Sequence, residues 1–375
     1  MISFSFVFRE DPFSVVKPRG GVISNIELIK SLSEFGDIFI FIPGREFSFY
    51  KSERQGVSIN FVEFVTLPFP FFVRKGNKQL NAFMRRHLAS YEKLIFFGSK
   101  GSIPHACQFY KHISSDNKKL TIITRDYNEL PLKGRLYGKG GVRDLIRDAF
   151  FYLIWRRAYR IADNVIVNSS FLAQEIAKVY RINRFFVFHP KIKSVATFER
   201  DRLLDAAHLK AGFISGPKYK GLSLVLQLSV LFPEIEFHVF NADKNTTKVN
   251  NKNVVLHGYE SHDNIFQLID VLLAPSYWYE PYGRVAAESI LHGVPVLHSN
   301  RGGLSEASGS SFFSVESMRI ETWAKKLTDF IENISDYNNE LETCKYRLII
   351  QNADNKFRDD LRSFIKVNFD NRQLS

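Results

Sequence analysis

Two glutamates eight positions apart bracket the stretch Glu280-Pro281-Tyr282-Gly283-Arg284-Val285-Ala286-Ala287-Glu288. Glu280 is expected on a loop after a strand, Val271 to Ala274, and Gly283 lets the backbone turn tightly into a helix. Helix-forming, apolar residues follow at Val285, Ala286, Ala287, Ile290 and Leu291, which puts Glu288 on the first or second turn. The helix start between the carboxylates offers unpaired backbone N–H groups and the positive end of a dipole, and together these attract anions. A diphosphate could be held there, with a hydroxyl-binding carboxylate on either side. The alternative is that two such glutamates only stabilise the dipole of a helix start.

The elements that must position these residues alternate along the chain. Ile2 to Phe8 is expected as a strand, Gly20 and Gly21 as a loop, and Ser24 to Phe35 as a helix with apolar positions at Ile26, Ile29 and Leu32. Strands are expected at Ile38 to Ile42, Val57 to Phe64, Leu94 to Phe97, Leu120 to Thr124 and, after a long helix, Asn164 to Asn168. The pattern restarts near Lys210, with strands at Ala211 to Ile214, Glu236 to Phe240, Asn253 to Leu256, Val271 to Ala274 and Val294 to Leu297. Short apolar strands alternating with helices imply an α/β fold with parallel, doubly wound sheets. We expect one Rossmann-like domain over residues 1–195, a second over 205–355, and a last helix over 356–375 crossing back to the first. Ligands of such sheets sit beyond the carboxyl ends of the strands. Gly20, Gly21, Lys220, Glu280, Gly302 and Gly303 all follow expected strands.

The stretch from Glu280 to Glu288 resembles the E-x7-E signature of retaining, family-4 glycosyltransferases of the GT-B fold (glycosyl transferases group 1). Its surroundings are similar to the same family. Asp270-Val271-Leu272-Leu273-Ala274-Pro275-Ser276 resembles the family's strand ending in Pro-Ser, and Gly293-Val294-Pro295-Val296-Leu297 resembles its G-x-PV strand. Arg301-Gly302-Gly303-Leu304-Ser305-Glu306 resembles its GG-x-x-E loop. Lys220-Gly221 resembles the KG that opens the second domain's first helix, and Arg19-Gly20-Gly21-Val22 resembles the glycine-rich acceptor-side loop. The likeness is strongest from about residue 254 to 306.

The resemblance implies the GT-B architecture, in which two Rossmann-like domains face an interdomain cleft. It also implies roles. Lys220 would contact the diphosphate, with Lys218 as the competing choice. The backbone N–H groups of Gly283, Arg284 and Val285 would hold the distal phosphate, and the Arg284 side chain could add charge or face solvent. Glu288 would bind the ribose hydroxyls, as a carboxylate accepting two hydrogen bonds can. Glu280 would bind the donor sugar. Gly20, Gly21, Gly302 and Gly303 complete the expected binding set. No covalent nucleophile is assigned, since retaining members are pictured as attacking on the same face, with the leaving phosphate taking the acceptor proton.

The sequence departs from the family in three places. Ser215 stands near the position of a second diphosphate clamp, which Lys218 could replace. Thr124-Arg125-Asp126-Tyr127 stands where a histidine near the sugar is common, so Arg125 or Asp126 could take its role. His189-Pro190 replaces an Asn-Gly, and His189 is expected to be structural.

Composition bounds the remaining possibilities. A chain of 375 residues with 45% hydrophobic content fits two globular domains, each with its own core. Two cysteines, Cys107 and Cys344, exclude a disulfide framework and suit a reducing compartment. No apolar run approaches the ~20 residues of a spanning helix. The histidines are dispersed without zinc spacing. We therefore expect no metal and no cofactor, the nucleoside diphosphate sugar being a donor substrate.

The net charge of +12 needs an anionic partner or a solvated lysine-rich surface. Pro68 to Phe72, followed by Arg74, Lys75, Lys78, Arg85 and Arg86, combines aromatics with positive charge. So does Arg143 to Arg160, with Phe150, Phe151, Tyr152, Trp155 and Tyr159. Either could lie against an anionic membrane surface, and the second could instead be a core helix with solvated arginines. By resemblance, the acceptor is a saccharide or lipid-linked saccharide of a bacterial surface polysaccharide or lipopolysaccharide. The protein would then be cytoplasmic and peripheral on the inner membrane face. Two other readings compete. One is a GT-B enzyme of another kind, such as a nucleotide-sugar 2-epimerase. The other is a nucleic-acid-binding or base-modifying protein, for which no nucleic-acid motif is present.

Overall fold

The computed structural model describes residues 1–16, 20–66, 78–99, 102–113, 115, 117–126, 142–192, 208–242 and 251–369. The chain divides into two units. Unit 1 comprises Met1–Asn168, Leu172–Lys191 and Phe357–Ser375, and unit 2 comprises Ser169–Phe171 and Ile192–Lys356.

The first half of the chain runs β1 (Ile2–Val7), α1 (Gly20–Leu32), β2 (Asp37–Pro43), β3 (Ser48–Arg54), β4 (Val57–Phe64) and α2 (Lys78–Phe83). It continues with β5 (Lys93–Ser99), α3 (Ile103–His112), β6 (Lys118–Thr124), α4 (Val142–Ile161), β7 (Asn164–Val167), α5 (Ser170–Tyr180) and β8 (Phe185–Val187). Its eight-stranded sheet has the order β3-β4-β2-β1-β5-β6-β7-β8. All pairs are parallel except the hairpin β3–β4. That hairpin departs from the sequence expectation, which had no strand at Ser48–Arg54. Its turn residues Gln55 and Gly56 both have positive φ, 52° and 81°, which suits a two-residue hairpin whose twist matches the strands.

A second departure concerns Gly20 and Gly21. They form the first turn of α1 rather than a preceding loop. The sheet's apolar strands bury Phe4, Phe6, Ile40, Phe61, Ile95 and Phe97 against α1 and the last helix. Leu361 and Phe364 of that helix are fully buried in the same core, and the Phe364 ring meets Phe186 edge-on at 4.9 Å.

In the basic, aromatic segment at α4, packing accounts for the aromatics from Tyr152 onward. Tyr159 is fully buried, stacks on Tyr180 at 4.3 Å and shares a 2.5 Å hydrogen bond with Thr124. Trp155 is also buried, while Arg157 and Arg160 are exposed. From Tyr152 onward this is a core helix with solvated arginines. The other basic segment falls largely outside the described residues, from Pro68 to Lys75; Lys78, Arg85 and Arg86 are exposed. Tyr127 and residues 193–207 are also outside the described set. Among the described residues, no helix is long and apolar enough to cross a membrane.

The second half runs β9 (Lys210–Ile214), α6 (Leu222–Leu231), β10 (Glu236–Phe240), β11 (Val254–Leu256), α7 (His262–Leu268), β12 (Val271–Ala274) and α8 (Arg284–Leu291). It ends with β13 (Val296–Ser299), α9 (Leu304–Ser308), β14 (Ser314–Val315), α10 (Ile320–Glu332), α11 (Ile334–Asn352) and α12 (Asp354–Phe369). Its parallel sheet has the order β11-β10-β9-β12-β13-β14. The first strand is central, and the direction of winding reverses between β9 and β12. In doubly wound sheets that reversal opens a crevice at the carboxyl ends of the two strands, where ligands bind. The strand expected to start at Val294 starts at Val296, because Val294 and Pro295 still belong to the turn: Val294 N–H bonds back to Ser289 O at 2.9 Å.

Candidate active site

The two loops that leave β9 and β12 meet at the winding reversal of unit 2. After β9, Lys218–Lys220 form a single tight helical turn that ends at Gly221 in the left-handed region, φ 93°. A Cβ on Gly221 would lie 2.1 Å from Pro275 O, so only glycine lets this turn press against the loop after β12. Tyr277 N–H donates to Tyr219 O at 2.7 Å and fastens the two loops together. The result is an ion pair. Lys220 Nζ lies 2.5 Å from Glu280 Oε1, with the side chains 33% and 13% exposed. Ser276 Oγ donates to the same oxygen at 3.0 Å. Lys218 is exposed, so of the two lysines it is Lys220 that the fold turns onto a carboxylate.

The second carboxylate is placed by α8. Gly283 has φ 96°, and a Cβ there would strike Leu304 at 2.6 Å. Ala286 N–H already closes onto Gly283 O at 2.8 Å. The amides of Gly283, Arg284 and Val285 precede that first intrahelical bond and point from the helix start. Val285 also packs half-buried against the core. Arg284 faces Glu288 one turn on, with NH2 3.1 Å from Oε1. His262, at the start of α7, places Nδ1 2.9 Å from Glu288 Oε2. This hydrogen bond, with the carboxylate's charge, raises the imidazole pKa above its ordinary value against the opposing effect of burial. Glu288 lies on the second turn of α8, almost buried.

Gly302 and Gly303 buttress Glu280. Gly302 and Glu280 form a parallel bridge, Glu280 N–H donates to Arg301 O at 3.3 Å, and Gly303 N–H donates to Glu280 O at 2.7 Å. The Gly303 amide is thus engaged by the chain itself. Arg301 steadies the same loop, donating to Tyr277 O at 3.1 Å and lying over the Tyr279 ring at 5.5 Å.

In unit 1, Gly20 and Gly21 open α1 after β1, beside the reversal of that sheet between β1 and β5. Arg125, at the end of β6, reaches α1: Nε donates to Asn25 Oδ1 at 2.8 Å and NH2 to Ser24 O at 3.3 Å. Asp126 and His189 are half-buried.

The fold of unit 2 therefore brings together Lys220 and Glu280, and separately Glu288 and Arg284, with the glycines as their supports. Sequence reasoning gave no role to Ser276, His262 or Arg301. Ser276 stood within a quoted motif, but His262 is 26 positions from Glu288, and no spacing signals that contact. Among the described residues, no group of His, Cys, Asp and Glu could hold a metal ion.

Residues 218–346 match the profile of the family described as Glycosyl transferases group 1. A 42.6 kDa protein in the cps region of Klebsiella pneumoniae is 23% identical over 318 residues, covering 78% of this chain and 84% of that protein. Among solved structures, Anabaena HepE in complex with UDP is similar with TM-score 0.67 and 14% identity, over 98% of this chain and 99% of that one. WaaG, a glycosyltransferase involved in lipopolysaccharide biosynthesis, is similar with TM-score 0.58 and 12% identity, over 99% and 100%. At these identities the likeness defines the fold, which is GT-B.

Proposed function

We propose, from the premise that residues 218–346 make this chain a member of the glycosyl transferases group 1 family, that it moves a sugar from a nucleoside diphosphate sugar to a hydroxyl of a saccharide acceptor. The reaction retains configuration and uses no metal ion. The observation that carries the reading is the Lys220–Glu280 pair at 2.5 Å, in the loops of the winding reversal, with Glu280 three residues before the helix start at Gly283.

The chemistry follows from charge. In the free protein the Lys220 ammonium is balanced by Glu280. An incoming diphosphate offers Lys220 more negative charge and draws it away. The amides of Gly283, Arg284 and Val285 take the distal phosphate at the positive end of α8. Glu280 is then released to accept hydrogen bonds from the sugar, still oriented by Ser276. Glu288 accepts from the ribose hydroxyls. As the bond from the anomeric carbon to phosphate oxygen breaks, charge builds on the diphosphate, where Lys220 and the helix amides are already aimed. The acceptor oxygen bonds to the anomeric carbon on the same face, and its proton passes to the departing phosphate oxygen. No protein nucleophile is required.

The acceptor is a lipid-linked saccharide of a surface polysaccharide or lipopolysaccharide, reached at the inner membrane face. The relative in a cps region and the fold likeness to WaaG support that setting. The net charge of +12 suits an anionic surface.

The test is a thermal-shift panel of nucleoside diphosphates and their sugars, with wild type beside Glu288→Ala. A nucleotide at ~100 times its dissociation constant stabilises the native state by ~2.7 kcal/mol. One base should stabilise wild type, unaffected by chelator, and the shift should vanish in the variant. Silence across the panel would sink the reading.

A further inference from the structure

Glu288 is the most enclosed charged side chain of the site, 8% exposed. Both carboxylate oxygens already have donors, Arg284 on Oε1 and His262 on Oε2. With a donor on each oxygen and little of the side chain open, a ribose diol gains room at this carboxylate when one of the two gives way. The two differ in how readily they can move. Arg284 comes from the turn before Glu288 on the same helix and is 23% exposed. His262 belongs to another helix and is 47% exposed.

The backbone that carries His262 is fixed independently. His292, at the end of α8, places Nδ1 2.6 Å from Glu288 O and Nε2 3.1 Å from Asp263 Oδ1. That contact ties the start of α7 to the end of α8 and engages Asp263, the acid next to His262. Phe266 flanks the His262 ring edge-on at 6.0 Å. The imidazole can therefore swing by side-chain rotation while its helix stays in place.

We propose that His262 is a latch on the ribose-binding carboxylate. It covers Glu288 in the free protein and swings aside when a nucleoside diphosphate places its ribose there. The inference rests on the assignment of Glu288 to the ribose, given above, and makes His262 a positioning residue.

The latch has a pH signature. The charged groups facing the imidazole are Glu288 and Arg284 from α8 and Asp263 from its own helix. The hydrogen bond to Glu288 raises the imidazole pKa above 6.5, and burial and Arg284 oppose it. Opening the latch removes that bond, so the imidazole sheds a proton between its ordinary and its raised pKa. Nucleotide binding therefore strengthens as pH rises through that window. In the free protein the sign is reversed. A raised folded-state pKa stabilises below 6.5, and the contribution fades as pH climbs through the raised value.

The experiment is calorimetric titration with UDP and GDP at about pH 6 and about pH 8.5, spanning the histidine range. Each titration is run in two buffers of different ionisation enthalpy, for wild type, His262→Ala, His262→Gln and Glu288→Ala. Wild type should bind several-fold more weakly than His262→Ala at the lower pH, and the ratio should close at the higher. The phosphate's own titration is common to both proteins and cancels in that ratio. Wild type should release protons on binding beyond those released by His262→Ala. Thermal melts without nucleotide should place His262→Ala below wild type at the lower pH and closer to it at the higher.

A His262→Ala protein that binds more weakly at both pH values would overturn the latch in favour of a direct contact with the nucleotide. An affinity ratio that does not change with pH would overturn it as well. Failure of wild type to bind either nucleotide, or binding that Glu288→Ala leaves intact, would remove the underlying assignment and the latch with it.

Discussion

The same dipeptide, Gly-Gly, occurs after a sheet strand in each unit, and it serves opposite purposes. Gly302 is forced. Its φ is 77°, and a Cβ there would lie 2.2 Å from Glu280 O. Gly303 is as tightly held, with a Cβ position 2.8 Å from Tyr282 Cα. Gly21, by contrast, sits in ordinary helical geometry and is exposed, and among the described residues a Cβ there would meet only Arg125 Cβ at 3.9 Å. The first pair is glycine because the chain crowds it. Gly21 of the second pair has room, among the described residues, that a side chain could fill and does not. Motif matching treats the two alike, as ligand-binding loops. Packing separates them into a buttress for the Glu280 loop and an exposed position at a helix start.

Gly302→Ala should have the largest effect. The left-handed conformation and the clash with Glu280 O together should cost about 3 kcal/mol or more, roughly a 10 °C fall in melting temperature for a domain of this size. Because the clash falls on Glu280, transfer activity should fall with stability. A variant that melts normally would end the buttress argument. Lys220→Ala separates the two effects. Removing the charge that we assign to the diphosphate should lower turnover by about 10²–10³. Its partner Glu280 keeps the Ser276 hydrogen bond, and the pair is partly solvated, so stability should fall by only about 1 kcal/mol. Equal losses of activity and stability in Lys220→Ala would make the pair structural.

This contrast also marks what the amino-acid sequence carries. The strands of unit 2 were legible because each is a short apolar run between turn residues. Glu236–Phe240 and Val271–Ala274 fall where the pattern puts them. Glu280 and Glu288 were legible because their positions follow from a local strand, turn and helix. The hairpin strand Ser48–Arg54 was not seen, since its residues are mostly exposed and polar on an edge, although Gln55-Gly56 signalled the turn. The contacts Arg125–Asn25 and His262–Glu288 join residues 100 and 26 positions apart on different elements, so no periodicity could place them. That α1 begins at Gly20 was missed because glycine is a poor helix former and the first turn depends on what packs beside it.

The two units can also be compared through one buried histidine each. His105 in α3 and His298 in β13 both have their pKa pushed down to about 4, mainly by burial. A depressed folded-state pKa means that the unfolded chain takes up the proton first. Stability contributed by each neutral imidazole is complete above 6.5 and is lost as pH falls from 6.5 toward 4. Their partners differ. His298 bonds Ser299 O at 3.1 Å and Ser308 Oγ at 3.0 Å. His105 Nε2 is buried with no hydrogen-bond partner among the described residues. At neutral pH His298→Leu should therefore cost about 1–2 kcal/mol for lost hydrogen bonds. His105→Leu should be near neutral or stabilising. Both variants should unfold less steeply in acid than wild type, which urea titrations at several pH values would measure. A large penalty for His105→Leu would mean that its imidazole has a partner that matters.

The smallest expected effect tests the open end of the glycine comparison. Gly21→Ala adds one methyl group to the first turn of α1, where φ is already helical and the nearest atom is 3.9 Å away. Alanine loses less backbone entropy than glycine on entering a helix, so stability should stay level or rise by about 0.5 kcal/mol. A destabilisation above about 1 kcal/mol would mean that the position is crowded after all, and the contrast with Gly302 would fail. The functional half of the test is independent of that result. If the space at Gly21 is kept for a substrate that comes close to the backbone, the methyl group should raise the KM for acceptor and leave nucleotide affinity unchanged, because the nucleotide contacts we propose lie in unit 2. If steady-state kinetics with Gly21→Ala match wild type in both substrates, the glycine pair of unit 1 has no part in binding. The open surface would then be ordinary solvent-exposed helix, and the resemblance at Arg19-Gly20-Gly21-Val22 would carry fold but not function.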